Sequence, residues 1–251
     1  MLFRLRKKMN YIIFDLLCKS ILKTPPIPTS EPVKYSLHSM VCHRDIIMFL
    51  LAAKSFISKL PGGKIYAHSD GSLTNQDIGI LNKHFPGIVI IKRAEADERA
   101  KKQLTPRLQE IRDYKGCFDR LIDTILWQEG EYHIQMDSDI LTTKKPEWIE
   151  NFLQTGSDPF LIADYEKEDI RLLQSFEEAH IQTRIENTQE KLSDMLGMDF
   201  GNIVGICAGF YGWKDQLKLE KIENFVDSCE KLGHDMRIWG AEQVVTTWLL
   251  N

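Results

Sequence analysis

The sequence predicts a three-layer α/β fold with a mainly parallel central sheet, and three observations predict it. Short β-rich runs alternate with helical patterns along the chain, one helix is apolar on nearly every face, and glycine or proline closes several elements. With 251 residues, 43% of them hydrophobic, the chain can fill a substantial core.

Pro25, Pro26, Pro28 and Pro32 break regular structure within a short span, so residues 1–33 read as a basic and apolar appendage with a proline-rich linker. Residues 34–251 read as one domain. A first strand spans 35–41. The helix over 45–60 is almost continuously apolar and stops at Pro61-Gly62-Gly63, so it must be covered on more than one side. A short strand over 64–68, a small helix over 72–84 and a fully buried type of strand over 87–92 follow. Residues 95–110 are charged and belong at the surface. Phe118, Leu121, Ile122, Ile125 and Leu126 mark one face of a helix over 113–127, which Gly130 ends. A strand over 133–136 leads into Asp137-Ser138-Asp139, and a helix over 146–153 opens on proline. Beyond it come a strand over 159–163, a long polar region over 164–198 and a strand over 202–207. The last elements are an amphipathic helix over 214–232, with Leu219, Ile222, Val226 and Cys229 inward and Gly233 as cap, and a helix over 239–250.

Bulk charge narrows the partners. With 32 basic and 36 acidic residues the net charge is −4, so no broad positive field invites a polyanion, and nucleic acid is excluded as the default partner. Cys18, Cys42, Cys117, Cys207 and Cys229 are odd in number, dispersed and without a CxxC pair, which predicts reduced thiols and a cytoplasmic location. No run reaches the ~18 to 20 apolar residues of a membrane span. Arg4, Arg6, Lys7 and Lys8 precede an apolar stretch interrupted by Asp15 and Lys19, so residues 1–20 allow a peripheral contact with an anionic membrane surface; a helix packed on the domain and a cleaved leader are the other readings. The dinucleotide GxGxxG, the P-loop and HExxH are all missing from the sequence.

The chemistry concentrates on Asp137 and Asp139. In extended backbone, residues i and i+2 project from the same face ~6 to 7 Å apart, and a bend at Ser138 brings both carboxylates onto one hard cation. Two carboxylates that close repel unless a positive charge lies between them. Mg²⁺ or Mn²⁺ carrying a diphosphate meets that demand. Lys115 and Arg120, on the helix before the strand, are of the type that counters diphosphate charge.

The run from Tyr132 to Ile140, with Asp137-Ser138-Asp139 at its centre, resembles the Asp-x-Asp motif of GT-A type glycosyltransferases. Residues 35–44 resemble the opening strand and turn that hold the nucleotide base, and Trp239-Gly240-Ala241-Glu242-Gln243 resembles the late acidic motif facing the acceptor. The resemblance covers roughly residues 34 to 251. It implies a metal-assisted transfer from a nucleoside-diphosphate sugar, UDP being the commonest nucleotide of the class, to a hydroxyl of a carbohydrate, lipid-linked or protein acceptor. Asp139 would be the principal metal ligand, and Asp137 would contact the metal and the ribose. His43 and Arg44 after the first strand and Asp70 after the second would line the base and ribose pocket, while Lys115 or Arg120 would meet the diphosphate. Glu242 would be the general base of an inverting reaction or an acceptor-orienting carboxylate of a retaining one. One departure stands out. Several metal-dependent members supply a histidine ligand near their C-terminus, whereas the last histidine here is His234.

For the acceptor, Tyr211, Trp213 and Trp239 offer rings that stack on sugars, and Gln243 offers a side-chain amide. Residues 164–190 are polar enough for a flap that excludes water. Two rivals remain at this stage. A sugar nucleotidyltransferase should carry a glycine-rich basic loop after the first strand, unlike Val41-Cys42-His43-Arg44-Asp45; a non-catalytic carbohydrate-binding or scaffold domain would keep the fold and bind without metal.

Overall fold

The computed structural model describes residues 9–10, 12–14, 16–29, 31–114, 117–156, 159–163, 181, 184–197 and 206–250. Its strands are β1 (Tyr35–Val41), β2 (Gly63–Ser69), β3 (Val89–Ile91), β4 (Tyr132–Met136), β5 (Phe160–Ala163) and β6 (Ile206–Lys214). Helical residues 9–10, 12–14 and 16–18 and a 3-10 turn, Lys19–Lys23, precede the first strand, and after it come α1 (Ile46–Ile57), α2 (Asn75–His84), α3 (Arg93–Gln103), α4 (Pro106–Arg112), α5 (Phe118–Leu126), α6 (Glu147–Thr155), α7 (Gln189–Leu196), α8 (Leu219–Lys231) and α9 (Ala241–Leu250). The fold is mixed α/β, and its mainly parallel six-stranded sheet has the order β3-β2-β1-β4-β6-β5. The chain divides into two compact units, Met1–Arg93 with Met136–Thr155, and Ala94–Gln135 with Gly156–Asn251.

In the first unit β1 and β2 pair in parallel from Tyr35 opposite Gly63 to Val41 opposite Ser69. β2 pairs in parallel with β3. The apolar run after β1 folds as α1 and buries Phe49, Leu50, Ala53, Phe56 and Ile57. Each large side chain removed from water there contributes about 1.5 to 3 kcal/mol. Tyr35 fixes the end of the helix, packing edge-on against Phe56 at 6.0 Å and donating from its hydroxyl to the Leu60 carbonyl. The proline-rich stretch has no regular structure but is anchored. Ile27 N–H donates to the His84 carbonyl at 2.9 Å, Thr29 N–H donates to that of Pro86 at 3.2 Å, and Lys54 Nζ donates to the Pro25 carbonyl. β3 departs from expectation, because Val89 and Ile90 are only partly buried. It is an outer strand, and a continuous apolar run implies two covered faces only when neighbours flank it on both sides.

In the second unit the charged segment resolves into α3 and α4, the latter capped by Thr105, whose Oγ1 accepts from Leu108 N–H at 3.1 Å, with Pro106 at its first position. Arg112, buried on α4, donates through Nε and Nη2 to both oxygens of buried Asp123 on α5, at 2.7 and 2.9 Å. β5 pairs antiparallel with β6, with a register shift between Leu161 and Ile162.

β6 runs further along the chain than the strand read over 202–207. Residues 202–205 lie outside the described ones, and the strand runs from Ile206 to Lys214 through Phe210, Tyr211, Gly212 and Trp213. Gly212 is a close approach: a Cβ there would lie inside the Phe160 ring's contact distance and 3.0 Å from the His133 carbonyl oxygen. α8 buries Ile222, Phe225, Val226 and Cys229, and α9 is buried along nearly its whole length. Most of the polar region over 164–198 also lies outside the described residues; residues 181 and 184–186 and α7 are described there as helical. None of the five cysteines is in a disulfide, and among the described residues no helix is long and apolar enough to cross a membrane.

Candidate active site

Three strand ends of the first unit carry the polar groups. After β1, residues His43–Asp45 form a single 3-10 turn that leads into α1. Arg44 folds back on Asp45 and donates from Nε to Oδ1 at 2.8 Å and from Nη2 to Oδ2 at 3.0 Å, while the Cys42 thiol donates to Oδ2 at 3.0 Å. The Arg44 guanidinium holds the Asp45 carboxyl below the usual carboxylate range, against the opposing effect of burial. Cys42 moves the other way: burial first, then the Asp45 carboxylate, raise its thiol above the ordinary cysteine value.

The turn after β2 is tied to the turn after β1. Asp70 Oδ1 accepts from Ser72 N–H at 2.8 Å and from its hydroxyl at 2.6 Å. Ser72 Oγ in turn accepts from His43 N–H at 2.8 Å. Gly71, at φ +101°, supplies the left-handed residue that this turn needs. His43 Nδ1 lies 2.8 Å from Asp77 Oδ2, and the same oxygen accepts from Thr74 N–H at 2.8 Å and Thr74 Oγ1 at 2.7 Å. Burial raises the Asp77 carboxyl, but the hydrogen bonds from Thr74 and His43 outweigh it and leave Asp77 below the usual range. His43, Arg44 and Asp70 are exposed, whereas Asp77 is buried beneath them.

Sequence reasoning thus named His43, Arg44 and Asp70 but missed Asp45, Ser72 and Asp77, which hold their turns in shape. One signal for Asp77 was present. Thr74-x-x-Asp77 is a capping box, in which Asp77 N–H also donates to Thr74 Oγ1 at 3.2 Å, and it sets the start of α2.

Asp137 and Asp139 stand in the turn directly after β4, in the same unit. Ile140 N–H donates to the Asp137 carbonyl at 3.3 Å and closes that turn. A few residues on, Thr142 N–H donates to Ser55 Oγ on α1 at 3.0 Å and pins the chain. Asp137 is half-buried and Asp139 exposed. Among the described residues no group of three or more His, Cys, Asp and Glu converges on a metal position. A protein cage of the zinc or calcium kind is therefore not built from them. Two carboxylates on a solvent-facing turn do fit a magnesium-like ion, which keeps waters and takes substrate phosphate oxygens as its other ligands.

The remaining candidates belong to the second unit. Glu242, in the first turn of α9 and only 1% exposed, accepts from Arg120 Nη2 at 3.0 Å and from Thr246 Oγ1 at 3.3 Å. The two residues assigned to diphosphate and acceptor are thus paired with each other. Lys115 lies outside the described residues.

Tyr211 and Trp213 are fully buried in β6, with Trp213 Nε1 donating to Gln128 Oε1 at 2.9 Å, so neither ring offers a face to a sugar. Trp239, 51% exposed, does. Gln243 is half-buried in the first turn of α9. His234 is buried and its Nε2 lies 2.6 Å from Thr188 Oγ1. Burial first, then the charge of Arg184, pushes its imidazole below the ordinary histidine value.

Among solved structures, mouse xyloside xylosyltransferase 1 in its apo form is similar with a TM-score of 0.49 at 12% identity, over 90% of this chain and 82% of that one. The mannosyltransferase Ktr4p of S. cerevisiae is similar with a TM-score of 0.44 at 10% identity, over 97% of this chain and 75% of that one. Glucosyl-3-phosphoglycerate synthase of M. tuberculosis is similar with a TM-score of 0.44 at 15% identity, over 92% and 82% of the two chains. No protein-family model matches the sequence, and a search of curated proteins finds no match. The chemistry of the site therefore rests on this chain's own side chains.

Proposed function

We propose that the chain is a metal-dependent glycosyltransferase that moves a sugar from a nucleoside-diphosphate sugar, with UDP as the nucleotide, to an acceptor hydroxyl. One observation carries this reading: two carboxylates two residues apart occupy the turn after β4, in the unit whose β1 and β2 end in hydrogen-bonded, solvent-facing polar turns. In α/β sheets of this kind ligands bind beyond the carboxyl ends of the strands.

In this reading Asp137 and Asp139 hold Mn²⁺ or Mg²⁺. A bound cation of that kind neutralises charge on a departing diphosphate. His43 and Asp70 offer donors and acceptors to a nucleoside, with their turns kept in place by Ser72 and Asp77, while Arg44 supplies positive charge at the rim. Within the second unit, Trp239 offers a ring face for stacking on a carbohydrate and Gln243 an amide for hydrogen-bonding one. Glu242 has one oxygen engaged by Arg120 and the other by Thr246. That supports an orienting role for it, since a general base needs a free oxygen within ~2.6 to 3.2 Å of the substrate hydroxyl.

Calorimetric titration with common UDP-sugars, with and without Mn²⁺, tests the proposal alongside a donor-hydrolysis assay. Binding that requires Mn²⁺ and disappears in Asp139→Ala is expected, with turnover lost in Asp137→Ala and Asp139→Ala. Sugar binding that needs no metal and survives Asp139→Ala would show a non-catalytic carbohydrate-binding domain instead.

A further inference from the structure

Residues 9–10, 12–14 and 16–18 are helical. Met9, Ile12, Ile13, Leu16 and Leu17 are all exposed, Leu16 at 66% and Leu17 at 76%. Their spacing of i, i+3, i+4, i+7 and i+8 is that of a single helix face. That face is turned to solvent, whereas Phe14 and Cys18, four residues apart on another, are only partly exposed. An amphipathic helix normally buries its apolar stripe against its own domain; here the stripe is offered outward.

Charge decides what could cover it. The first 24 residues hold Arg4, Arg6, Lys7, Lys8, Lys19 and Lys23 against Asp15 alone, while the rest of the chain carries 26 basic and 35 acidic residues. The segment that holds the exposed stripe is therefore net +5 and the rest of the chain net −9. A second copy docked through this face would bring two such basic segments together. An anionic bilayer complements the segment and repels the acidic remainder, so it also orients the molecule.

We propose that this helix is a membrane-surface anchor, lying in the headgroup region of an anionic leaflet with Met9, Ile12, Ile13, Leu16 and Leu17 inserted. An apolar stripe confined to one face, with bases at both ends, lies in the interface and does not span it. The attachment is transmitted to the first unit, because the stretch that follows the helix is hydrogen-bonded to it through Pro25, Ile27 and Thr29. The inference is independent of the transferase reading.

The test is co-sedimentation of the full chain with vesicles of phosphatidylcholine alone or mixed with phosphatidylglycerol. Sedimentation with the mixed vesicles is expected, weaker by ~10-fold or more on neutral vesicles or at high salt. Leu16→Glu with Leu17→Glu should cut it by a similar ~10-fold while leaving the thermal melt unchanged, as both side chains are exposed. Lys7→Glu with Lys8→Glu should remove the preference for anionic lipid. Failure of the wild-type chain to sediment with mixed vesicles would overturn the proposal, as would unchanged sedimentation of the leucine variant. So would light scattering that shows a dimer abolished by the leucine variant without vesicle binding.

Discussion

Arg120 Nη2 donates to Glu242 Oε2 at 3.0 Å, and both side chains are nearly excluded from water. Removing one member of such a pair leaves the other charge in a poorly solvated place, which costs about 3 to 5 kcal/mol. Glu242→Ala should therefore lower stability by about that amount in urea denaturation, whereas Arg120→Met with Glu242→Leu should recover most of the loss. A Glu242 that acted only as a solvent-facing base would give a stability change near zero.

Asp139 behaves oppositely. It is exposed, so Asp139→Ala should change stability by less than about 0.5 kcal/mol while abolishing Mn²⁺-dependent donor turnover. Parallel denaturation and activity measurements check both halves.

Arg112 and Asp123 share the two-point contact described above, and Arg112 Nη1 also donates to the more exposed Asp97 at 2.8 Å. Asp123→Ala should cost about 3 to 5 kcal/mol and Asp97→Ala no more than about 1 kcal/mol. Equal losses in the two variants, measured by denaturant midpoint, would contradict the burial difference between them.

Acid should destabilise the fold through its buried histidines. Burial pushes His68 down to about 3 and His133 down to about 4, from an ordinary value near 6.5. Between those values the unfolded chain binds protons that the native chain does not, so stability is full above about pH 6.5 and falls as pH drops toward 4 and then 3. The loss carried by His133 alone is on the order of 3 kcal/mol. Denaturation series from pH 7 to about 4 on the wild type and His133→Gln should show a shallower slope in the variant.

Gly212→Ala should destabilise by about 1 to 3 kcal/mol, because the new methyl meets the Phe160 ring and the His133 carbonyl. Gly79→Ala, where an added Cβ meets nothing within 4 Å, is the control and should be neutral or slightly stabilising.

The sequence by itself determined the order of strands and helices, the apolar α1, and the two carboxylates leaving β4. These follow from local periodicity, from proline and glycine at the ends of elements, and from the fixed two-residue spacing of an extended chain. Tertiary structure alone decided that β3 is an outer strand, that Tyr211 and Trp213 are core rings, and that Arg120 and Glu242 neutralise one another. A single sequence contains no record of which distant side chains meet. An aromatic run with a glycine reads alike whether its neighbour is a sugar or Phe160, and a lone arginine and a lone glutamate look available until folding, across 122 positions, brings them within a hydrogen bond of each other.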